Sequence, residues 1–319
     1  MGALTLAVTG AGGFLGRAVV AAARARGHDV RALLRGDVPA EWRGVAVTRA
    51  DLAAAGALSA VADAFDGAGA VIHCAARVSG DDAAHARDTL AATDTVLAAM
   101  ARARAPRLVL ASSLSVYGYG GLRPGAVLDE DTPPEPRPGL RDAYCRAKLA
   151  QEALCSAAAE REGFGLWLMR IGALWEEGRL WNDHLGLARG GTLFSAGRGG
   201  DVPLAHVATA AEALVRAAET DPRRPAEALN VLDSALPDRG AVIDALRAEG
   251  WPRRVLPLPW GALVAAGRVV PGLARRGPGL LRAEVARARL MPLRYPNDRL
   301  RDRLGWTPPA RFGDRESQG

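Results

Sequence analysis

Apolar and polar positions along the first third of the chain fall into blocks that repeat strand, turn and helix. Leu4-Thr5-Leu6-Ala7-Val8 is a short apolar run, and a helical pattern follows from Arg17 to Arg26. Asp29 to Leu34, Val45 to Thr48, Ala70 to Cys74 and Arg107 to Ala111 read as the second to fifth strands. Helical patterns at Ser59 to Phe65 and Asp81 to Arg104 lie between them. Apolar strands separated by helices at such short spacings predict a doubly wound parallel sheet covered on both faces, a Rossmann-type α/β fold. The dinucleotide-binding domain is expected to span residues 1–172. Residues 173–319 are expected to form mainly a smaller substrate-binding part, with some segments returning to the core.

The first strand feeds into Thr9-Gly10-Ala11-Gly12-Gly13-Phe14-Leu15-Gly16. Glycines at 10, 13 and 16 allow a tight turn and a close approach to a pyrophosphate, which then rests on the helix N-terminus. Gly10, Gly13, Phe14, Leu15 and Gly16 are therefore candidate cofactor contacts. The second strand ends Ala32-Leu33-Leu34-Arg35-Gly36, where an NAD site would place an acid for the ribose hydroxyl. Arg35 suits a 2'-phosphate instead, which favours NADP over NAD. In a chain this rich in arginine, a solvated loop residue is the alternative.

At 319 residues and 49% hydrophobic content, the chain can bury a large core. Its first residues lack the charge and apolar order of a signal peptide, so the expected location is the cytoplasm. Cys74, Cys145 and Cys155 match no zinc spacing and read as packing residues, and no metal is expected. Much of the net charge of +6 is C-terminal, with 12 Arg against 5 acidic residues from Arg268 onward. That bias fits a solvated face, contacts to an anionic substrate, or a membrane or polymer. No aromatic-interleaved basic motif accompanies it, so no nucleic-acid partner is expected. Val255 to Val270 is the most hydrophobic stretch, but Pro257, Pro259, Gly261 and Arg268 break it. A bilayer span needs roughly 20 apolar residues, so a helix closing over substrate or packing on a partner is expected, with membrane-surface contact as the alternative.

Only one of the 41 Lys and Arg residues is lysine, and it stands in Tyr144-Cys145-Arg146-Ala147-Lys148. An ammonium is a compact point charge, whereas a guanidinium is a broad planar fork, so Lys148 marks a place where arginine would not serve. On a helix, Tyr144 and Lys148 share a face. A neighbouring ammonium favours the phenolate and brings a tyrosine toward proton exchange at neutral pH, the chemistry of an alcohol or carbonyl.

The fifth strand runs into Ser112-Ser113-Leu114-Ser115-Val116-Tyr117-Gly118. With the glycine turn, Asp51-Leu52, His73-Cys74-Ala75-Ala76, the Tyr144/Lys148 pair and Asn297-Asp298-Arg299 through Pro308, the chain resembles the extended short-chain dehydrogenase/reductase superfamily. That group includes nucleotide-sugar epimerases and ketoreductases. The resemblance implies that Tyr144 donates or accepts the proton, Lys148 lowers its pKa and holds the nicotinamide ribose, and Ser113 hydrogen-bonds the reacting oxygen. It also implies that Asp51 and Leu52 border the adenine, and that Ala75 and Ala76 line the nicotinamide side. Four places depart from the family pattern. Asp88 stands where Asn is common, Leu114-Ser115 replaces the dehydratase Asp-Glu pair, Arg170-Ile171 replaces Arg-Pro, and Ala205-His206 replaces paired aspartates.

Glu176 to Asp183 combines an aromatic platform with hydrogen-bonding groups. Arg179, Trp181 and Asn182, with Ser115, are the candidate substrate contacts, although a structural loop around a buried Trp would look the same. His206, before a helix pattern from Ala208 to Ala218, reads as a structural contact. The expected function is NAD(P)-dependent oxidation or reduction at a secondary alcohol or ketone, on a nucleotide-sugar, by a ketoreductase or an epimerase, possible as a homodimer. A non-catalytic NADP-binding redox sensor or scaffold is the alternative.

Overall fold

In the computed structural model, which describes residues 2–269 and 279–314, the apolar runs become the strands of one parallel sheet. These are β1 (Thr5–Thr9), β2 (Asp29–Leu34), β3 (Ala46–Arg49), β4 (Ala70–His73), β5 (Arg107–Ser113) and β6 (Gly165–Ile171). A seventh strand, Ala226–Val231, pairs with β6 at the edge. From that edge the order is β6, β5, β4, β1, β2, β3. The order reverses beside β1, where Thr9 and His73 stand level at the C-terminal ends of β1 and β4. A crevice opens outside such a switch point, and ligands of this fold class bind there.

Both faces of the sheet are covered, which explains why its central strands β1, β4, β5 and β6 are mostly apolar and buried. Helix α1 (Phe14–Ala25) packs with Val207–Glu219 over one face. Helices α2 (Ala57–Phe65), α4 (Ala92–Ala103) and α5 (Ala143–Glu162) cover the other. The long pattern expected from Asp81 to Arg104 is interrupted: helix α3 (Asp82–His85) passes into a π-helical segment, Ala86–Ala91, before α4. A π turn takes up an extra residue and resets the inward face. Both Thr89 and Thr93 are buried as a result.

The second half adds a smaller set of layers. Ala173–Trp175 pairs with Leu204–His206, while the hairpin of Gly186–Arg189 and Thr192–Ser195 pairs with Arg254–Pro257. Trp175, Leu193, Val242 and Ile243 form its core. The apolar stretch beginning at Val255 is thus divided between a strand and the helix Trp260–Val269, which packs on Ala283–Leu290. Val270 lies outside the described residues. None of the described helices is long and apolar enough to cross a membrane.

Part of the C-terminal positive charge is paired within the chain. Arg299 meets Asp131 at 2.8 Å, Arg303 meets Glu227 of the edge strand at 2.9 Å, and Arg301 pairs with Asp298. Arg287 donates to the Tyr119 carbonyl at 3.1 Å. Arg275, Arg276 and Arg315 lie outside the described residues.

Candidate active site

The glycine turn is fixed by close contact. Gly10 has φ +66°, and a Cβ there would come within 2.6 Å of the Ala75 nitrogen. A Cβ on Gly16 would stand 2.2 Å from the Gly10 carbonyl oxygen. Gly13 caps α1 with no side-chain acceptor, so the first N–H groups of the helix are left for an anion. A groove of about 400 Å³ runs from this turn past Arg35, Asp51, Leu52 and Ala75 to Asp88. Gly10, Gly13 and Ala76 also line it. Gly16 lies beneath the turn, Leu15 packs against the core, and Phe14 faces Arg179. The groove's lining, the glycine geometry and the uncapped helix together fit a dinucleotide.

At the far end of the groove three guanidinium groups gather around one carboxylate. Asp88 accepts from Arg87 at 2.8 Å and Arg77 at 2.7 Å, and Arg35 approaches to 3.7 Å. The bonds from Arg87 and Arg77 hold the Asp88 carboxyl well below the usual carboxylate range. Asp88 is therefore a counter-ion in this chain. Its neighbour Thr89 turns inward and accepts the Arg77 backbone N–H at 3.0 Å.

Ser113 ends β5, and Tyr144 lies in the first turn of α5, whose N-cap Asp142 accepts the Cys145 N–H at 2.7 Å. Burial raises the phenol pKa, while a hydrogen bond with Ser113 and the charge of Arg289 lower it. The net shift is upward, so the phenol carries its proton at neutral pH.

Lys148, expected to tune this phenol, has its ammonium bonded elsewhere in the structure. Lys148 is 3% exposed, and its Nζ donates to the Ala111 carbonyl at 2.7 Å and to Gln151 Oε1 at 2.9 Å. The helical spacing puts Tyr144 and Lys148 on one face, but the longer side chain carries its ammonium down to the sheet. Burial there lowers the Lys148 pKa to about 8. Gln151 in turn donates to Thr93 Oγ1 at 2.8 Å, and His73 sits between Thr93 and Thr9 at 3.1 and 2.6 Å. Burial, with Lys148 adding to it, pushes His73 down to about 3 and keeps it neutral.

Below this floor, Arg170 of β6 meets Glu152 of α5 at 2.8 and 3.1 Å, and Ser112 donates to Glu152 at 2.5 Å. Arg170 also lies over the Tyr117 ring at 4.6 Å. Removing one partner of a buried ion pair strands the other charge, so Arg170→Leu is expected to destabilise the protein by about 3–5 kcal/mol, read from urea unfolding.

The loop candidates for substrate have partners of their own in the structure. Arg179 lies 4.3 Å from the Phe14 ring, at the glycine turn and hence on the cofactor side. Trp181 packs edge-on against Trp251 at 5.0 Å. The Asn182 side chain is used locally, donating to the Leu180 carbonyl and accepting the His184 N–H. Ser115 is 2% exposed, and its hydroxyl has no partner among the described residues. His206 caps the following helix and packs on Trp175, in line with a structural role.

Two groups near Tyr144 carry no local sequence signal. Arg289, from the helix Ala283–Leu290, reaches Tyr144, Asp142 and Asp183 electrostatically and lies 3.5 Å from His184 Nε2. His85, at the end of α3, is 2% exposed with its ring 6.2 Å from that of Tyr144.

Comparison with known proteins bears on the same region. Residues 6–178 match the NAD dependent epimerase/dehydratase family. A 4-hydroxy-2-methyl-3-oxo-4-farnesyl-3,4-dihydroquinoline-1-oxide ketoreductase from Stigmatella aurantiaca is 32% identical over 170 residues, 53% of this chain. The match spans about half, 49%, of that curated relative. Among solved structures, the UDP-glucose 4-epimerase of Thermus thermophilus in complex with NAD is 22% identical, with a TM-score of 0.68 over 96% of this chain and 94% of the other. The UDP-glucose 4-epimerase of Bifidobacterium longum in complex with NAD+ and UDP is 17% identical, with a TM-score of 0.71 over 97% and 95%. These two likenesses establish the fold.

Proposed function

From the premise that this chain belongs to the NAD-dependent epimerase/dehydratase family, we propose an NAD(P)-dependent oxidoreductase acting at a secondary alcohol or its ketone, with Tyr144 as proton donor and acceptor. The observation that carries this is the Ser113 hydroxyl set against the Tyr144 phenol at the C-terminal end of β5, on the same edge of the parallel sheet as the glycine turn after β1. A bound dinucleotide supplies or takes the hydride. In the reducing direction, negative charge grows on the ketone oxygen, and the Ser113 and Tyr144 hydroxyls are the donors that stabilise it. Tyr144 then gives its proton to that oxygen. Arg289 offsets the phenolate charge, and Lys148 would hold the ribose from the floor.

Within this chemistry the favoured reading is a reductase that exchanges NADPH at each turnover. Arg35, with Arg77 and Arg87 behind it, offers positive charge where a 2'-phosphate would lie. The likeness to a ketoreductase supports the same direction. Arg289 beside Tyr144 gives an anionic substrate, such as the diphosphate of a nucleotide-sugar, a cation to meet. An epimerase that retains NAD is the second reading, favoured by the epimerases that share the fold.

The nucleotide released on denaturing the purified protein separates the two. Near-stoichiometric NAD would favour the epimerase, and an empty protein would favour the reductase. A charged hydrogen bond contributes about 1.5–3 kcal/mol, so Arg35→Ala is expected to weaken NADPH binding by roughly 10- to 100-fold and to leave NADH binding nearly unchanged, as measured by calorimetry. Equal loss for both nucleotides would remove Arg35 from the 2'-phosphate site.

A further inference from the structure

His85 is a buried polar side chain with nothing to bond. Both ring nitrogens are enclosed, and neither has a hydrogen-bond partner among the described residues. A polar group buried in that state costs stability, so its presence calls for a use. The ring is tilted 59° to that of Tyr144, with 6.2 Å between centroids. At that separation a change in the His85 side-chain torsions is what would carry an imidazole nitrogen toward the phenol oxygen. We propose that His85 is a positioning residue for Tyr144, donating a hydrogen bond to the phenolate oxygen once the Tyr144 proton has left for the substrate. The inference rests on the assignment of Tyr144 as the acid.

The chemistry around the phenol supports this. Lys148 is committed to Ala111 and Gln151, and Ser113 is shared with the reacting oxygen. Arg289 supplies charge from a distance. A neutral imidazole N–H is the donor still free. The groups that face His85 are Arg77 from the loop after β4, Asp82 on its own helix, and Asp142, Tyr144 and Lys148 from the α5 side. Asp82 is itself paired with Arg146 at 2.8 Å. Burial, then Arg77, lowers the His85 pKa, so the ring is neutral when Tyr144 works and keeps one N–H to give. The proton balance is simple: one proton moves from Tyr144 to the ketone oxygen, and His85 keeps its own.

Phenolate absorbance during alkaline titration tests the proposal without a substrate. The chain has four tyrosines, and burial pushes Tyr117, Tyr119 and Tyr295 upward as well. The step lost in Tyr144→Phe identifies the phenol in question. His85→Phe keeps the ring shape and removes the donor. Its Tyr144 step is expected to move up by about one pH unit, the tenfold shift that loss of a hydrogen bond to a charged group produces. His85→Gln keeps an N–H and should return the step toward the parent value, whereas the shorter His85→Asn should not. If His85→Phe does not fold, the Gln and Asn variants carry the comparison. An unmoved step in His85→Phe or His85→Asn, together with raised thermal stability, would overturn the proposal and leave His85 a stranded imidazole. Turnover in Tyr144→Phe separately tests the acid itself, so the two failures are distinguishable.

Discussion

Tyr144→Phe is expected to lower turnover by about 10²- to 10⁴-fold, the contribution of a positioned general acid, while NADPH or NAD binding stays close to that of the parent protein. The substitution removes one oxygen from a half-buried ring on α5, and Tyr144 is not among the residues that line the groove at the glycine turn. A protein that only senses or carries a dinucleotide would keep its behaviour in this variant. Paired measurements of dissociation constant and rate therefore decide between enzyme and sensor. The pH dependence follows from the phenol's raised pKa. Reduction needs the protonated phenol, so its rate should hold level through neutral pH and fall as pH climbs through that pKa. Alcohol oxidation needs the phenolate and should rise over the same range.

Gly16→Ala is expected to abolish dinucleotide binding and to destabilise the fold by about 1–3 kcal/mol, the range for forcing extra atoms into a packed site. The added Cβ would meet the Gly10 carbonyl oxygen at 2.2 Å and the Ala11 Cα at 2.8 Å, both backbone atoms of the turn itself. Neither can yield without opening the loop that receives the pyrophosphate. Gly12→Ala is the matching control, because its Cβ would find only the Leu34 Cβ at an ordinary 3.5 Å. Calorimetric binding of NADPH and thermal unfolding of the two variants measure the contrast. Binding retained in Gly16→Ala would show that the turn does not hold the cofactor in the way its geometry requires.

These two residues are visible in the sequence because their constraints are local. A glycine is legible when neighbours in the chain crowd it, and Gly10, Ala11 and Gly16 lie within one turn. The central strands are legible for a related reason: burial on both faces leaves mostly apolar runs. Tyr144 stands out by its spacing from the only lysine, yet spacing fixes a face and not a depth. Lys148 passes beyond the phenol to the Ala111 carbonyl, and the charge acting on Tyr144 comes from Arg289, 145 residues away in sequence. With 40 arginines in the chain, nothing in the sequence distinguishes that one. His85 is equally silent, since its significance is the absence of partners, which only the assembled structure can show. Trp181 and Asn182 show how residue type alone leaves two readings open. Their residue types suit a sugar pocket, but the same types close a local turn and build an aromatic pair, and there the fold uses them.

The burial of Lys148 also makes the protein unusually easy to interrogate by chemical labelling. Most proteins scatter ε-amines over their surface, and an acylating reagent reports an average over all of them. Here the one side-chain amine lies on the floor beneath Tyr144, so its acylation rate is a measure of how often that floor opens. A single mass increment at Lys148 would serve as a clock for breathing of the site, with no competing side-chain signal to subtract.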